Sequence, residues 1–193
     1  MRVGVLALQG DWEAHLRAFA RCGAEAVAVR TAGELEGVDG LVIPGGESTA
    51  MLRLMEPESL DRRIADRVAA GLPVLATCAG LILLAKGVTP EQPSLGALDV
   101  DVVRNAYGRQ VRSEIATVEL SPALGDPSRV DGVFIRAPRV ARVGDRVEVM
   151  GRHGGDPVLL REGRIVAATY HPELGGDCRV HRLFLDLAEV VDG

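Results

Sequence analysis

Several features that mark particular classes of protein are scarce in this sequence or missing from it. Aromatic residues make up only 3% of the 193 residues, so aliphatic side chains and alanine must fill the core. The net charge is -5, which gives no basic surface of the kind that binds nucleic acid or an acidic membrane. No apolar run reaches the ~18 residues of a membrane-spanning helix. These absences argue against nucleic-acid-binding and membrane-spanning proteins.

Cysteine is also scarce. Cys22, Cys78 and Cys178 are an odd number without a CxxC pair, which makes a poor disulfide framework and no zinc site. Such cysteine usage favours a reducing compartment. The first residues are apolar but carry no signal-peptide cleavage pattern. We therefore expect a cytoplasmic protein without a bound metal.

The first half of the chain alternates between apolar runs and helical spacing. Continuous apolar runs predict buried strands at 3–8, 24–29, 38–43 and 74–77. Helices are predicted from Asp11 to Cys22 and over 49–55, 60–70 and 81–86. Alternation of this kind predicts an α/β fold: a three-layer, flavodoxin-like open sheet that is mostly parallel and doubly wound.

The second half changes character. Short β-like runs at 113–120, 132–135, 146–151, 158–162 and 165–170 are divided by turns, which predicts an antiparallel extension of the sheet. Residues 87–112 are rich in Pro, Gly and Asn and are predicted to be a loop region, and 177–191 a final helix. Without a linker or repeat, residues 1–193 are expected to form one domain.

One cysteine stands where a predicted strand meets a predicted helix. Cys78 follows the apolar run 72–77 and precedes the small residues Ala79 and Gly80. A nucleophile on such an elbow turn projects from the backbone at a helix N-terminus, where the dipole favours a thiolate. Ala76 occupies a position where elbow turns usually have glycine. Taken alone, the pattern fits a catalytic nucleophile and a small buried apolar cysteine equally well.

A thiolate nucleophile needs a base, and the base needs a group that orients it. His171 ends a predicted strand and precedes Pro172-Glu173. Pro172 stiffens this turn, and the Glu173 carboxylate reaches the imidazole if the turn bends back. We therefore predict a triad of Cys78, His171 and Glu173 at the carboxyl ends of strands. The remaining histidines, His15, His153 and His181, are interpreted as solvated or packing residues.

Two glycines follow the third predicted strand, in Pro44-Gly45-Gly46-Glu47-Ser48. Glycine lets the backbone turn freely and leaves an N–H group unobstructed. A tetrahedral intermediate needs such donors for its oxyanion, and the N–H groups of Gly46 and Ala79 are the candidates. By itself, the loop is better explained as a plain turn in which Ser48 is the N-cap of the following helix.

Together these pieces resemble the class I glutamine amidotransferases, which share a cysteine elbow, a Gly-Gly oxyanion loop and a late His-Pro-Glu. Within that family, six stretches resemble in order the glutaminase subunits of pyridoxal 5′-phosphate synthases: LALQGDWEAH, VIPGGEST, TCAGLILLAK, RNAYGRQ, VFIRAP and TYHPEL. The resemblance runs from Val3 to the last predicted helix, and Ala76 is its departure from the usual elbow.

The resemblance implies a reaction in which L-glutamine and water give L-glutamate and ammonia. It assigns nucleophilic attack to Cys78, proton transfer to His171 and the orientation of His171 to Glu173. An arginine suits the α-carboxylate of glutamine because its guanidinium binds carboxylates bidentately. No cofactor or metal is implied. The implied glutamine contacts are Gly46, Glu47, Ser48, Arg104, Ile135 and Arg136.

The resemblance also implies a partner, a (β/α)₈-barrel synthase subunit that builds pyridoxal 5′-phosphate from ribose 5-phosphate, glyceraldehyde 3-phosphate and the ammonia. In the family, twelve glutaminase subunits surround a twelve-subunit synthase core (12+12), and the glutaminase is poorly active alone. Gln9 and Gly10 are the expected partner contacts, near the oxyanion loop.

Two other classes stay open at this point. Related α/β proteins with an elbow cysteine act as hydrolases, chaperones or redox sensors, but they typically lack a late His-Pro-Glu. A non-catalytic regulatory subunit would have lost Cys78, His171 or Glu173, and all three are present.

Overall fold

The computed structural model describes residues 1–104 and 113–189, and the strands in that part of the chain form two sheets. The strands are β1 (Val3–Leu6), β2 (Ala26–Val29), β3 (Gly40–Ile43), β4 (Val74–Thr77), β5 (Ala85–Thr89), β6 (Leu98–Val103), β7 (Ser113–Leu120), β8 (Arg129–Ile135), β9 (Arg139–Val143), β10 (Glu148–His153), β11 (Asp156–Glu162) and β12 (Ile165–Ala168). The α-helices are α1 (Trp12–Arg21), α2 (Ala32–Glu36), α3 (Ser48–Met55), α4 (Leu60–Ala69), α5 (Ala79–Leu84) and α6 (Arg179–Glu189).

The larger sheet joins the two halves of the chain. Its order is β2-β1-β3-β4-β12-β11-β10-β7-β8. The pairs from β2 to β12 are parallel, and the pairs from β12 to β8 are antiparallel. The predicted α/β class, with a doubly wound parallel part and an antiparallel extension, is therefore confirmed. The carboxyl ends of β3, β4 and β12 meet at one edge, where sites lie in open α/β sheets.

Helices cover both faces of the parallel part and give three layers. Because strand side chains alternate between faces, Val5 packs in one core with Phe19 of α1 and Phe184 of α6. Leu6 packs on the opposite face, in a core that includes Ile64 of α4. Burying each such side chain contributes about 1.5–3 kcal/mol. Burial on both faces explains why these strands read as continuous apolar runs.

The predicted loop region 87–112 was wrong at residues 87–89 and 98–103, which are strands, whereas residues 90–97 between them lie outside helices and strands. β5 and β6 pair in parallel there, and β9 joins β6 to make a three-stranded second sheet. The residues of β6 alternate between buried and half-buried positions, a period of two that the Pro and Gly residues around it obscured. Residues 105–112 of this prediction lie outside the described residues.

Two helix predictions differ from the structure by two residues at an end, and the others by one residue at most. The helix predicted over 81–86 spans Ala79–Leu84, because the extended backbone at Ala85 (φ −60°, ψ 145°) starts β5. The final predicted helix, 177–191, begins at Arg179, and its last two residues lie outside the described range. Among the described residues, each helix is too short or too polar to cross a membrane.

Cys22 and Cys178 form a disulfide that was not predicted from the sequence. Their Cα atoms lie 5.7 Å apart although 156 residues separate them in the sequence. The bond ties the C-terminal cap of α1 to the residue just before α6. Spacing rules detect only neighbouring cysteines, so the expectation of a poor disulfide framework was wrong. The cysteine argument for a reducing compartment loses its support accordingly.

Candidate active site

The sharp turn between β4 and α5 holds Cys78 in a strained conformation. Its backbone has φ +49° and ψ −103°, a region that costs a residue other than glycine about 1–3 kcal/mol. The neighbouring strand holds it there, since the Cys78 N–H donates to the Ala168 carbonyl at 2.8 Å. A side chain on Gly80 would run into the backbone carbonyl of Ile43. Ala76 pairs with both flanking strands and does not prevent the turn.

The thiol lies at the start of a helix. Cys78 is the N-cap of α5 and is only 7% exposed. The first N–H groups of a helix lack intrahelical partners, so the Ala79 N–H is free to meet an oxyanion. Cys78 Sγ lies 3.7 Å from the Ile135 carbonyl oxygen, at the end of β8. The predicted elbow therefore places a thiol and a backbone donor side by side.

His171 follows β12, and a short 3-10 turn over Pro172–Leu174 bends the chain back beneath it. The turn brings the Glu173 carboxylate to the imidazole, where Nδ1 donates to Oε1 at 2.7 Å. Burial by itself would lower the pKa of His171, but hydrogen bonds and charges from Cys78 and Glu173 raise it to about 10. The imidazole also hydrogen-bonds the Cys78 side chain, and since Nδ1 is committed to Glu173, that contact is made by Nε2. The structure thus brings the three predicted triad residues together in the predicted order.

A histidine that the sequence analysis assigned to solvent or packing lies behind this triad. His15 of α1 is fully buried, and its Nε2 lies 3.5 Å from Glu173 Oε2 and 3.2 Å from Thr77 Oγ1. Burial would raise the pKa of Glu173, but its interactions with His15 and His171 lower it. His181 of α6 is also buried, with its ring centroid 5.7 Å from that of His15. Both histidines are buried, so the solvated alternative is wrong for them, and His15 contacts the Glu173 carboxylate in addition to packing.

The Gly-Gly loop lies against the imidazole of His171. A side chain on Gly45 would overlap this ring, so the glycine makes room for the base. A side chain on Gly46 would overlap the amide oxygen of Gln9. That same oxygen accepts a hydrogen bond from the Glu47 N–H at 2.7 Å. Gln9 therefore holds the peptide group between Gly46 and Glu47. This peptide group is next to the Gly46 N–H, which is the predicted oxyanion donor.

Gln9 and Gly10 support this loop from behind. Gln9 is half-buried and Gly10 is exposed. Gly10 adopts φ +87°, a left-handed conformation that favours glycine, and a side chain here would overlap the Gly45 carbonyl. A molecule that binds at Gln9 or Gly10 would therefore also affect the Gly45-Gly46 loop, which both residues touch.

The predicted glutamine-binding residues form a connected polar group. Glu47 caps α3 by accepting hydrogen bonds from the N–H groups of its first turn. Arg104 Nη2 lies 3.6 Å from Glu47 Oε1, and its Nη1 donates to Gln92 Oε1. The Ser48 hydroxyl donates to the same Gln92 oxygen at 3.0 Å. Gln92 was not predicted, because it lies in the segment interpreted as a loop. Asn105–Gln110, the rest of the RNAYGRQ stretch, lies outside the described residues.

One cavity gathers most of these groups. Arg136 enters it from the end of β8 with φ +46°, a second strained residue at the site. Of the predicted residues, Glu173 lies behind His171, and Gln9 and Gly10 lie behind the loop. Residues 1–104 and 113–189 contain no cluster of His, Cys, Asp and Glu that could hold a metal ion. The lining residues are Asp11, Gly45, Gly46, Glu47, Ser48, Cys78, Ala79, Ile82, Arg104, Ile135, Arg136 and His171, of which Asp11, Gly45 and Ile82 were not among the predicted site residues.

Nearly the whole length of the chain is similar to known proteins. The model of the SNO glutamine amidotransferase family matches residues 5–190. Over 191 residues, the chain is 49% identical to pyridoxal 5′-phosphate synthase subunit PdxT of Thermotoga neapolitana, covering 98% of this chain and 100% of that protein. The subunit of the same name from Frankia casuarinae is 53% identical over 188 residues, or 96% of this chain and 94% of that one. The crystal structure of a glutamine amidotransferase superimposes with a TM-score of 0.89 at 47% identity, covering 97% of this chain and 99% of the other.

Proposed function

The chain belongs to the SNO glutamine amidotransferase family, and from that premise we propose that it is the glutaminase subunit of a pyridoxal 5′-phosphate synthase. It hydrolyses L-glutamine to L-glutamate and ammonia, which serves vitamin B6 biosynthesis. The observation that carries the chemistry is Cys78, held on a strained turn beside His171, whose Nδ1 lies 2.7 Å from Glu173. The near full-length similarity to the PdxT subunit of this synthase from two organisms supports the biological role.

The first half of the reaction forms a thioester. Cys78 Sγ, as the thiolate, attacks the side-chain amide carbon of glutamine and gives a tetrahedral oxyanion. His171, with its pKa raised to about 10, is protonated at neutral pH and gives its Nε2 proton to the amide nitrogen. The C–N bond then breaks, ammonia leaves and a glutamyl thioester remains on Cys78.

The second half restores the enzyme. His171, now neutral, takes a proton from a water molecule that attacks the thioester carbon. The C–S bond breaks, glutamate leaves, and the thiolate of Cys78 again faces a protonated His171. Glu173 accepts the Nδ1 hydrogen bond throughout, which keeps Nε2 aimed at the reacting atoms. Side chains and backbone N–H groups supply every step, so the proposal requires no cofactor or metal.

The cavity residues bind the substrate in this proposal. The N–H groups of Gly46 and Ala79 meet the oxyanion, and losing one such donor lowers turnover by about 10²–10³ in other enzymes. Arg104 takes the α-carboxylate, since a guanidinium has enough donors to keep its contact with Glu47 as well. The other glutamine contacts are Glu47, Ser48, Ile135 and Arg136, all of which line the cavity.

The proposed partner is a (β/α)₈-barrel synthase subunit that takes up the ammonia, in an assembly of twelve subunits of each kind. A partner that contacts Gln9 can act on the active site, because the Gln9 side chain accepts a hydrogen bond from the Glu47 N–H next to Gly46. Ordering a glycine loop costs conformational entropy, and the contacts of a docked partner can offset that cost. We expect low glutaminase activity for the isolated chain and a rise of about tenfold or more with synthase, or ~1.4 kcal/mol of barrier.

Titration of the chain with the synthase subunit tests this proposal, with glutamate release as the readout. Gln9→Ala should weaken the activation while leaving the thermal unfolding temperature close to that of the wild type. Gln9→Glu keeps an acceptor oxygen for the Glu47 N–H and should retain more of the activation. If glutamate release does not rise with added synthase, in a sample where sedimentation shows that the complex has formed, partner activation is refuted.

Two further proposals concern the whole chain. Residues 1–193 form one glutamine amidotransferase domain, supported by the parallel pairing of β12 with β4 across the two halves. The enzyme works in the cytoplasm, because the phosphorylated sugars that the synthase consumes do not cross membranes. Fractionation of cells that express the tagged chain would test the location.

A further inference from the structure

Only one of the two carboxylate oxygens of Glu173 is hydrogen-bonded to His171. Glu173 is 2% exposed, and its Oε1 accepts from His171. Its Oε2 is buried and, within the described part of the chain, has no hydrogen bond of normal geometry. A buried carboxylate oxygen without a donor is unfavourable, because nothing replaces the water that would hydrogen-bond it in the unfolded chain. His15 Nε2, at 3.5 Å, is placed to supply that donor.

The surroundings of His15 decide which ring nitrogen carries the proton. Burial lowers the pKa of His15, against an opposing effect of the Glu173 charge, so the ring is neutral. A lone pair on Nε2 would face the Glu173 carboxylate and repel it. The proton therefore sits on Nε2, between Glu173 Oε2 at 3.5 Å and Thr77 Oγ1 at 3.2 Å.

We propose that His15 is a positioning residue of the amidotransferase reaction: its Nε2–H holds Glu173 Oε2, so that Oε1 stays on His171 Nδ1 and Nε2 of His171 stays aimed at Cys78. The inference rests on the triad proposed above. The same N–H reaches Thr77, the residue before Cys78, so one imidazole ties the nucleophile's strand to the carboxylate. Contacts of this kind are often long in an unliganded enzyme and tighten around the substrate.

Other charged groups around His15 are few. Asp11 lies on its own helix, His171 and Glu173 on the turn after β12, and His181 on α6. His181 makes an edge contact with Phe19, and its two ring nitrogens have no hydrogen-bond partner in the described residues. It is therefore a matched control: a second buried histidine in the same layer that does not hold the carboxylate.

The test compares three variants in complex with the synthase subunit, by glutamate release, by the titration of the His171 imidazole in NMR spectra and by thermal unfolding. His15→Met removes the donor, and kcat should fall about tenfold to hundredfold, as when outer residues that orient a functional histidine are changed at metal sites. KM should stay within about twofold, since substrate contacts are intact. The imidazole of His171 should titrate at lower pH, because its carboxylate is less well held.

His15→Gln separates positioning from packing. Its amide nitrogen falls near the place of Nε2, so kcat should stay within about threefold of the wild type. His181→Met should leave both kcat and the His171 titration unchanged. Wild-type kcat and an unmoved titration in His15→Met would overturn the proposal. Equal losses in the Met and Gln variants that track a loss of thermal stability would overturn it too, since packing would then explain everything.

Two additions keep the test decisive. If His15→Met does not fold, His15→Asn takes its place, because its shorter amide falls short of Oε2 while remaining polar. Cys78→Ala is assayed alongside. Activity in that variant would refute the triad itself, whereas an inactive Cys78→Ala beside a fully active His15→Met refutes the role of His15 alone.

Discussion

Replacing Glu173 by glutamine removes the charge that holds His171 while keeping the shape of the side chain. The hydrogen bond between Oε1 and Nδ1 is 2.7 Å long, and both side chains are buried, so water does not weaken it. Burial alone would lower the pKa of His171, and the bonds to Cys78 and Glu173 raise it to about 10. Without the carboxylate, we expect this pKa to fall and the imidazole to lose its fixed orientation.

The size of the effect follows from the kind of bond. A hydrogen bond to a charged group contributes about 1.5–3 kcal/mol and a neutral one about 0.5–1.5 kcal/mol. The difference of about 1–1.5 kcal/mol lowers turnover about tenfold, and loss of the whole bond lowers it by up to about a hundredfold. His171→Asn removes the proton carrier itself and should lower turnover by about 10²–10⁴. Glu173→Gln should therefore be the milder change.

The assay is kcat against pH for both variants in complex with the synthase subunit. His171 acts as an acid when ammonia leaves, so its deprotonation sets the alkaline limb of the profile. Glu173→Gln should move this limb to lower pH, and His171→Asn should abolish it. An unmoved limb in Glu173→Gln, or a loss of turnover larger than that of His171→Asn, would refute the role given to Glu173.

Two other expectations follow from buried positions. Gly80→Ala should lower the free energy of unfolding, measured by urea titration, by about 1–3 kcal/mol, because the new methyl group meets the Ile43 carbonyl. Gly33→Ala is the control: it adds a methyl group in open space on α2 and should be neutral or stabilising in the same titration. Burial lowers the pKa of His181 to about 3, so below pH 6.5 the unfolded chain takes up a proton that the folded state refuses. Stability should fall by up to about 1.4 kcal/mol per pH unit between 6.5 and 3, and an equal acid sensitivity in His181→Met would contradict this.

The parts of the fold that sequence predicted are those with local signals. The continuous apolar runs gave the parallel strands, and the small residues after Cys78 gave the elbow turn. α2, β5, β6 and β9 were missed. A capping box between Thr31 and Glu34 was a usable signal for α2. The alternation in Leu98–Val103 was a usable signal for β6.

Long-range contacts behind the site could not be predicted from sequence in this way. The spacing of Trp12, His15 and Phe19 on one helical face indicates burial of His15, but nothing local indicates that Glu173 lies against it. The Cys22–Cys178 disulfide has the same character, since it joins residues 156 positions apart. Both depend on how α1 packs beside the turn after β12, which is a property of the assembled sheet.

The most direct test of the central claim is to treat the chain, in complex with its synthase subunit, with diazo-oxo-norleucine and to locate the adduct by peptide mass spectrometry. This glutamine-like electrophile alkylates the thiolate that attacks the substrate amide. The account predicts one adduct, on Cys78, formed together with complete loss of glutaminase activity and prevented by excess glutamine. Loss of activity with the adduct on any other residue, or full activity with Cys78 modified, would contradict it.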